Sequence, residues 1–313
     1  MEKMNNYLNV YDDESGNKVF HYEFPSLYAL VRYLKTSEVN RAVFGLSPAS
    51  ESNRGPDKIL YGEPLEDALE HTINGYHHEY SSLKELCKFD NLVFNIDTEA
   101  QRNRTYKSYI GSRVDVPAYV NGSPKNMRRL KRYDERKIID FYFSLSYGIH
   151  ITENQIINRG IIAIHLIKSL EEMGYCVNLK AFELDTEFLS QNRSDENRNK
   201  KEVFYVVIHL KDFEVPLNES KCVAPFIRKE FLRRIMFRLL EVTPVSKCWG
   251  QSYGRPEKEE DIRKRFNLKE NDIYFGTPEE LGIKGEDLAT DYQTVINKFG
   301  LADSMAVTKR LKK

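Results

Sequence analysis

The chain has 313 residues, 41% hydrophobic and 12% aromatic, enough to build one large core or two ordinary ones. Its 47 basic and 47 acidic residues cancel, which excludes a protein that holds nucleic acid or membrane by bulk charge and leaves only local patches for electrostatic work. The four cysteines, Cys87, Cys176, Cys222 and Cys248, form no CxxC pair, so reduced thiols are expected rather than zinc ligands or disulfides. No apolar run reaches the ~18–20 residues of a membrane span, and MEKMNNYLNVYDDESG lacks the apolar core of a signal peptide. A cytoplasmic protein without a membrane partner is expected.

KVFHYEF, from Lys18 to Phe24, alternates as a strand does. Ser26 then caps a helix, LYALVRYLKTS, with Leu27, Leu30, Val31 and Leu34 on one face. NRAVFGL reads as a strand, and residues 47–58, rich in Ser, Pro, Gly and charge, as an exposed loop. PLEDALEHTIN predicts a helix closed by Gly75, a second helix starts at Ser81 or Ser82, and DNLVFNID is a strand. His77 and His78 are adjacent and splay apart on any helix, so they read as surface residues and not as a metal pair. In GSRVDVPAYVNGSP, Pro117 forbids a central-strand hydrogen bond, so an edge strand or a structured loop is expected.

The second half is patterned more strongly. KIIDFYFSLSYG is a buried strand, ITENQIINRGIIAIHLIKSLEEMGY an amphipathic helix, and CVNLKAFEL the next strand, together a βαβ unit. Thr152 with Gln155 makes a capping box. Gly160 costs about 1 kcal/mol inside the helix, which makes sense if it lets the helix lie close on the sheet. EVFYVVIHL follows CVNLKAFEL without a crossover helix, so an antiparallel pair is predicted. Glu219–Val242 is a helix whose apolar stripe leaves Arg228, Lys229, Arg233, Arg234 and Arg238 as a solvated side. A charged helix, the strand NDIYFG, a further helix and a basic tail complete the chain.

The order from residue 137 onward resembles a von Willebrand factor A-type domain, whose second and third strands pair antiparallel within an otherwise parallel sheet. In that family a D-x-S-x-S segment at the end of the first strand opens a divalent-metal site, because a hard cation needs a carboxylate and hydroxyl oxygens together. Here Ser144 stands at the aspartate position and Gly148 at the second serine, with Ser146 between. Asp140 lies ~13 Å down the strand. Asp212 and Thr277 are the remaining oxygen ligands that the pattern offers, so a degenerate site without metal is expected. The whole chain also resembles a family of uncharacterised proteins of phages and plasmids, through GSRVDVPAYVNGSPKNM, NRGIIAIHLIKSLEEMGYCVNL and DIYFGTPEELG. That resemblance implies a mobile-element origin, in the cytoplasm of a bacterial host, and carries no catalytic residues.

The expected fold is α/β: an N-terminal α+β region (1–125), then a von Willebrand A-like, Rossmann-like domain (126–313) with a mostly parallel sheet flanked by helices. There is no phosphate-binding Gly-rich loop, no G-x-S-x-G and no HExxH. Ser144 or Ser146 as nucleophile would need a base that nothing nominates, His150 and His209 included. The leading expectation is therefore a non-enzymatic protein-binding protein without cofactor. An alternative is nucleic-acid binding through Lys125, Arg128, Arg129, Lys131, Arg132 and Arg136, helped by Arg233, Arg234 and Arg238, since this basic stretch is interleaved with tyrosines. A second alternative is a metal-dependent hydrolase or nuclease using Asp97, Asp115 or Asp140.

Overall fold

A computed structural model describes residues 7–52, 60–75, 92–96, 105–110, 113–130, 138–172, 175–188, 200–247, 254, 256–299 and 305–309. The centre is a six-stranded, mostly parallel sheet. It is built from β1 (Leu8–Asp12), β2 (Lys18–Phe24), β7 (Ile138–Ser144), β8 (Cys176–Phe188), β9 (Lys201–Lys211) and β10 (Ile273–Phe275), in the order β1-β2-β9-β8-β7-β10. The predicted antiparallel pair is β8 with β9. The sheet takes β1 and β2 from before residue 125 and its other four strands from after it, through the parallel pairing of β2 with β9.

Alternation along the strands divides their side chains between two cores. Phe20, Phe24, Phe141, Phe143, Val177, Leu179, Phe204 and Val206 face one side. There they meet α1 (Leu27–Thr36), α5 (Glu153–Glu172), α6 (Glu219–Ile227), α7 (Phe237–Val242) and α10 (Leu288–Lys298). Val19, Tyr142, Phe182, Leu184, Val203 and Tyr274 face the other side, where Ile262 of α8 (Glu259–Arg265) covers them. Two smaller sheets stand apart: β3 (Leu92–Ile96) with β11 (Met305–Lys309), and β4 (Thr105–Ser108), β6 (Met127–Leu130) and β5 (Arg113–Val114) in that order. The basic tail thus supplies a strand.

Local signals in the sequence are realised where they concern caps. The Ala29 N–H donates to Ser26 Oγ, and Thr152 and Gln155 exchange hydrogen bonds between side chain and backbone. α3 (Leu65–Asn74) ends at Gly75, whose φ of 82° is a conformation that glycine adopts without strain.

Several expectations are corrected by the structure. NRAVFGL contains a short helix, α2 (Arg41–Phe44), and no strand. The segment at 47–58 is anchored rather than exposed at Ser50, which is fully buried and hydrogen-bonded through backbone and side chain to Glu241. Pro117 sits in the first turn of a helix, α4 (Val116–Val120), where its missing N–H costs nothing and the Asp115 side chain caps the Ala118 N–H. The predicted helix over Glu219–Val242 breaks at Arg228 and resumes through a π-helical turn (Phe231–Met236) into α7. That break turns Arg233 and Arg234 inward, 7% and 0% exposed, so they form no solvated side. Gly160 makes its close approach to α6: a Cβ there would lie 2.6 Å from the Phe226 carbonyl oxygen, so the contact is helix on helix.

Candidate functional site

Parallel strands leave their C-terminal ends on one edge of the sheet, and ligands in open α/β folds bind where neighbouring connections diverge. That point lies between β7 and β10. From β7 the chain crosses through α5 to β8 on one side, whereas β10 pairs on the other, with Phe275 opposite Phe143. Ser144, Ser146 and Tyr147 therefore leave β7 beside Gly276 and Thr277, and all five are buried.

Ser144, Ser146 and Thr277 are thus on one edge, but Asp212 is not. The Phe213 N–H donates to Asn178 Oδ1 at 2.8 Å, which sets Asp212 near the level of Asp140 and Asn178. That level is about 13 Å down the strands from Ser144. Asp212 instead lines a separate cavity of about 550 Å³ with Tyr7, His21, Glu23 and His209. Thr277 Oγ1 is committed to capping α9 (Pro278–Leu281), where it accepts the Glu280 N–H. The chain order alone suggested neither separation nor commitment.

The carboxylates at this edge come from β8. Glu183 and Asp185 continue the inward row of Val177, Leu179 and Ala181 past the end of β7, and each is 1% exposed. They hydrogen-bond to each other, and Asp185 Oδ2 accepts the Gly254 N–H at 3.1 Å. Burial pushes Glu183 up to about 8, against the opposing pull of Asp185 and Arg233. Burial and the adjacent Glu183 hold Asp185 well above the usual carboxylate range. The pair therefore keeps a proton at neutral pH.

Two arginines meet Tyr147 at the same edge. The Arg159 guanidinium, from α5, lies 4.4 Å from the Phe143 ring centroid and 5.7 Å from that of Tyr147. Arg233, from the π-helical turn, lies 5.3 Å from the Tyr147 ring and donates to the Tyr147 carbonyl at 3.2 Å. Nη1 of Arg159 donates to the Gly276 carbonyl, which ties the ends of β7 and β10 together. Desolvation lowers the Arg159 pKa to about 10. Among the described residues, no three His, Cys, Asp or Glu gather to hold a metal.

The small sheet carries the basic stretch. Lys107 and Arg113 both lie opposite Arg128, so three cations from β4, β6 and β5 share one face. Among the described residues, Asp115 answers them there, 3.0 Å from Arg128 and 3.8 Å from Lys107. The Ala118 N–H, Lys107 and Arg128 hold its carboxyl below the usual range. Lys125 lies over the Tyr109 ring and Arg129 is exposed, whereas Lys131, Arg132 and Arg136 fall outside the described residues. The same stretch exposes Tyr109, Ile110, Val114, Val116, Tyr119 and Val120, with Ile110 at 78% and Val120 at 76%.

The arginines expected to help this stretch do not face solvent together with it. Arg234 is buried under Tyr61 and donates to the carbonyls of Ser50, Ser52, Gly62 and Glu63, and Arg238 pairs with Glu51. Of the acids considered for hydrolysis, Asp140 accepts from Lys180 at 2.9 Å and Asn178 at 2.7 Å. Burial pushes its carboxyl up, but these bonds win and hold it low. Asp97 falls outside the described residues. No described helix is long and apolar enough to cross a membrane.

No curated protein and no solved structure matches this chain. One family does, over residues 4–303, and the chain belongs to it: the family described as Domain of unknown function (DUF7192).

Proposed function

We propose that the chain is a non-enzymatic interaction protein of a phage or other mobile element, with a von Willebrand A-like core, and that its 105–130 segment docks an acidic partner protein. The observation that carries this reading is the cluster of six exposed large apolar side chains between Tyr109 and Val120. Contiguous exposed apolar surface marks contact sites, and aliphatic groups such as Ile110, Val116 and Val120 offer little to a nucleobase. The cationic row of Lys107, Arg113 and Arg128 supplies charge complementarity, with one carboxylate, Asp115, against three cations. A partner with an apolar centre and an acidic rim fits both. The antiparallel β8–β9 pair within a mostly parallel sheet supports the von Willebrand A-like core, and the segments GSRVDVPAYVNGSPKNM, NRGIIAIHLIKSLEEMGYCVNL and DIYFGTPEELG support the mobile-element origin.

Photo-crosslinking tests the proposal. A benzoylphenylalanine at Tyr119 should capture one protein in cells carrying the element, and the adduct should disappear when Ile110→Asp is added. A control at Val215, also exposed but distant in sequence, should not capture it. Failure of Tyr119 to yield a specific protein adduct would overturn the reading. The nucleic-acid reading is favoured by the same cations and by Lys125 stacked over Tyr109. It predicts binding of a single-stranded oligonucleotide that weakens steeply with salt, with a shallower slope in Arg128→Ala/Arg129→Ala.

A further inference from the structure

Arginines inside this protein come in two kinds. Arg234 is fully buried and its guanidinium is saturated by the carbonyls of Ser50, Ser52, Gly62 and Glu63. Arg228 and Arg238 are paired with glutamates. These three show how the fold satisfies a structural guanidinium. Arg159 and Arg233 differ: among the described residues each makes one hydrogen bond, to a backbone carbonyl, and neither forms an ion pair. Arg159 is 1% exposed, and its Nε has no partner.

The acids around them are engaged elsewhere. Glu280 accepts from the Tyr274 hydroxyl and the Thr277 N–H, both at 2.8 Å, and Glu279 pairs with His150 at 2.8 Å. Glu183 and Asp185 keep a proton between them, so the pair brings one negative charge near Arg233 without forming an ion pair with it. A buried charge without a direct ion-pair partner is costly, and here two guanidiniums lie against one tyrosine ring. They do so where an open α/β sheet binds ligands, at the diverging ends of β7 and β10. The turn above them, through Ile149 and His150, is exposed and gives approach from solvent.

We propose that Arg159 and Arg233 form an anion site that takes a phosphoryl group at the C-terminal ends of β7 and β10. A guanidinium presents paired N–H donors that match phosphate oxygens, and two of them balance a phosphoryl dianion. Tyr147 spaces the two groups, and the Gly276 carbonyl takes Nη1 of Arg159, leaving its Nε without a partner among the described residues. The site is independent of the docking surface on the 105–130 segment.

The test uses the full chain and inorganic phosphate, with chloride keeping ionic strength constant. Thermal unfolding should show a saturable rise in Tm with a Kd of about 1 mM or tighter. Arg233→Gln should weaken binding at least tenfold, while Arg233→Lys, which keeps charge but loses the fork, should lie between. Arg129→Gln, on the small sheet, should leave it unchanged. In the unaltered protein, phosphate should slow amide exchange at 145–148 and 231–236. No saturable shift up to about 20 mM, a shift insensitive to Arg233→Gln, or protection confined to other segments would overturn the proposal.

Discussion

The Glu183–Asp185 pair gives the protein a pH dependence opposite to that of ordinary acid denaturation. Both carboxyls are buried; burial raises Glu183 to about 8 and holds Asp185 well above its ordinary range. In the unfolded chain both would titrate near 4. Between about pH 5 and pH 7 the folded pair keeps at least one proton that the unfolded chain has released. Their folded pKa values are raised, so the stability they contribute is complete below the unfolded pKa and is lost as pH rises toward the folded one. One linked proton is worth about 1.4 kcal/mol per pH unit, so the loss between pH 5 and pH 7 is on the order of 2–3 kcal/mol.

The double substitution Glu183→Gln, Asp185→Asn removes both titrations and keeps the side-chain volumes and hydrogen-bonding capacity. Urea unfolding at pH 5, 6 and 7 gives ΔG for both proteins, and the wild-type value minus the variant value should fall by roughly 2–3 kcal/mol over that span. Groups remote from the pair titrate alike in both proteins and cancel in the difference. One such group is His165, which burial lowers to about 4. A difference that stays flat within about 0.5 kcal/mol, or that rises with pH, would refute a shared buried proton.

Arg234→Met should cost about 3–5 kcal/mol in urea unfolding, because four carbonyls in the Ser50–Glu63 region lose their donor; a loss under about 1 kcal/mol would mean water replaces it readily. Gly160→Ala should destabilise by about 1–3 kcal/mol despite the better helix propensity, since the new Cβ meets the Phe226 carbonyl at 2.6 Å. A more stable variant would show that α5 and α6 separate freely. Ile110→Asp, at an exposed position, should leave ΔG within about 0.5 kcal/mol of wild type. A larger loss would show that the apolar cluster supports the fold rather than a partner.

The sequence specified the place of the candidate site better than its chemistry, and the reason is the range over which each is encoded. KIIDFYFSLSYG is a strand because its own residues alternate and bury, and the helix after it is capped by residues three apart, Thr152 and Gln155. Such local signals located the strand end correctly. The joining of β2 to β9 was not legible, because it depends on pairs such as Phe24 with Ile208, and either strand is equally well patterned alone. Glu183 and Asp185 alternate with Phe182 and Leu184, and nothing in the sequence marks them as buried. Only the arrival of the π-helical turn carrying Leu232 and Arg233, with Gly254 behind it, turns their face into an interior. The arginines were misread for a related reason. A regular helix over Glu219–Val242 puts Arg233 and Arg234 opposite the apolar stripe, but the break at Arg228 and the π-helical turn rotate them onto the core. Pro225, inside α6, was the one local sign that the period would not hold. Position follows from a strand's own alternation, whereas the charge at its end is supplied by a helix more than eighty residues later. For that reason the sequence around Ser144 was uninformative about the arginines that occupy its surroundings.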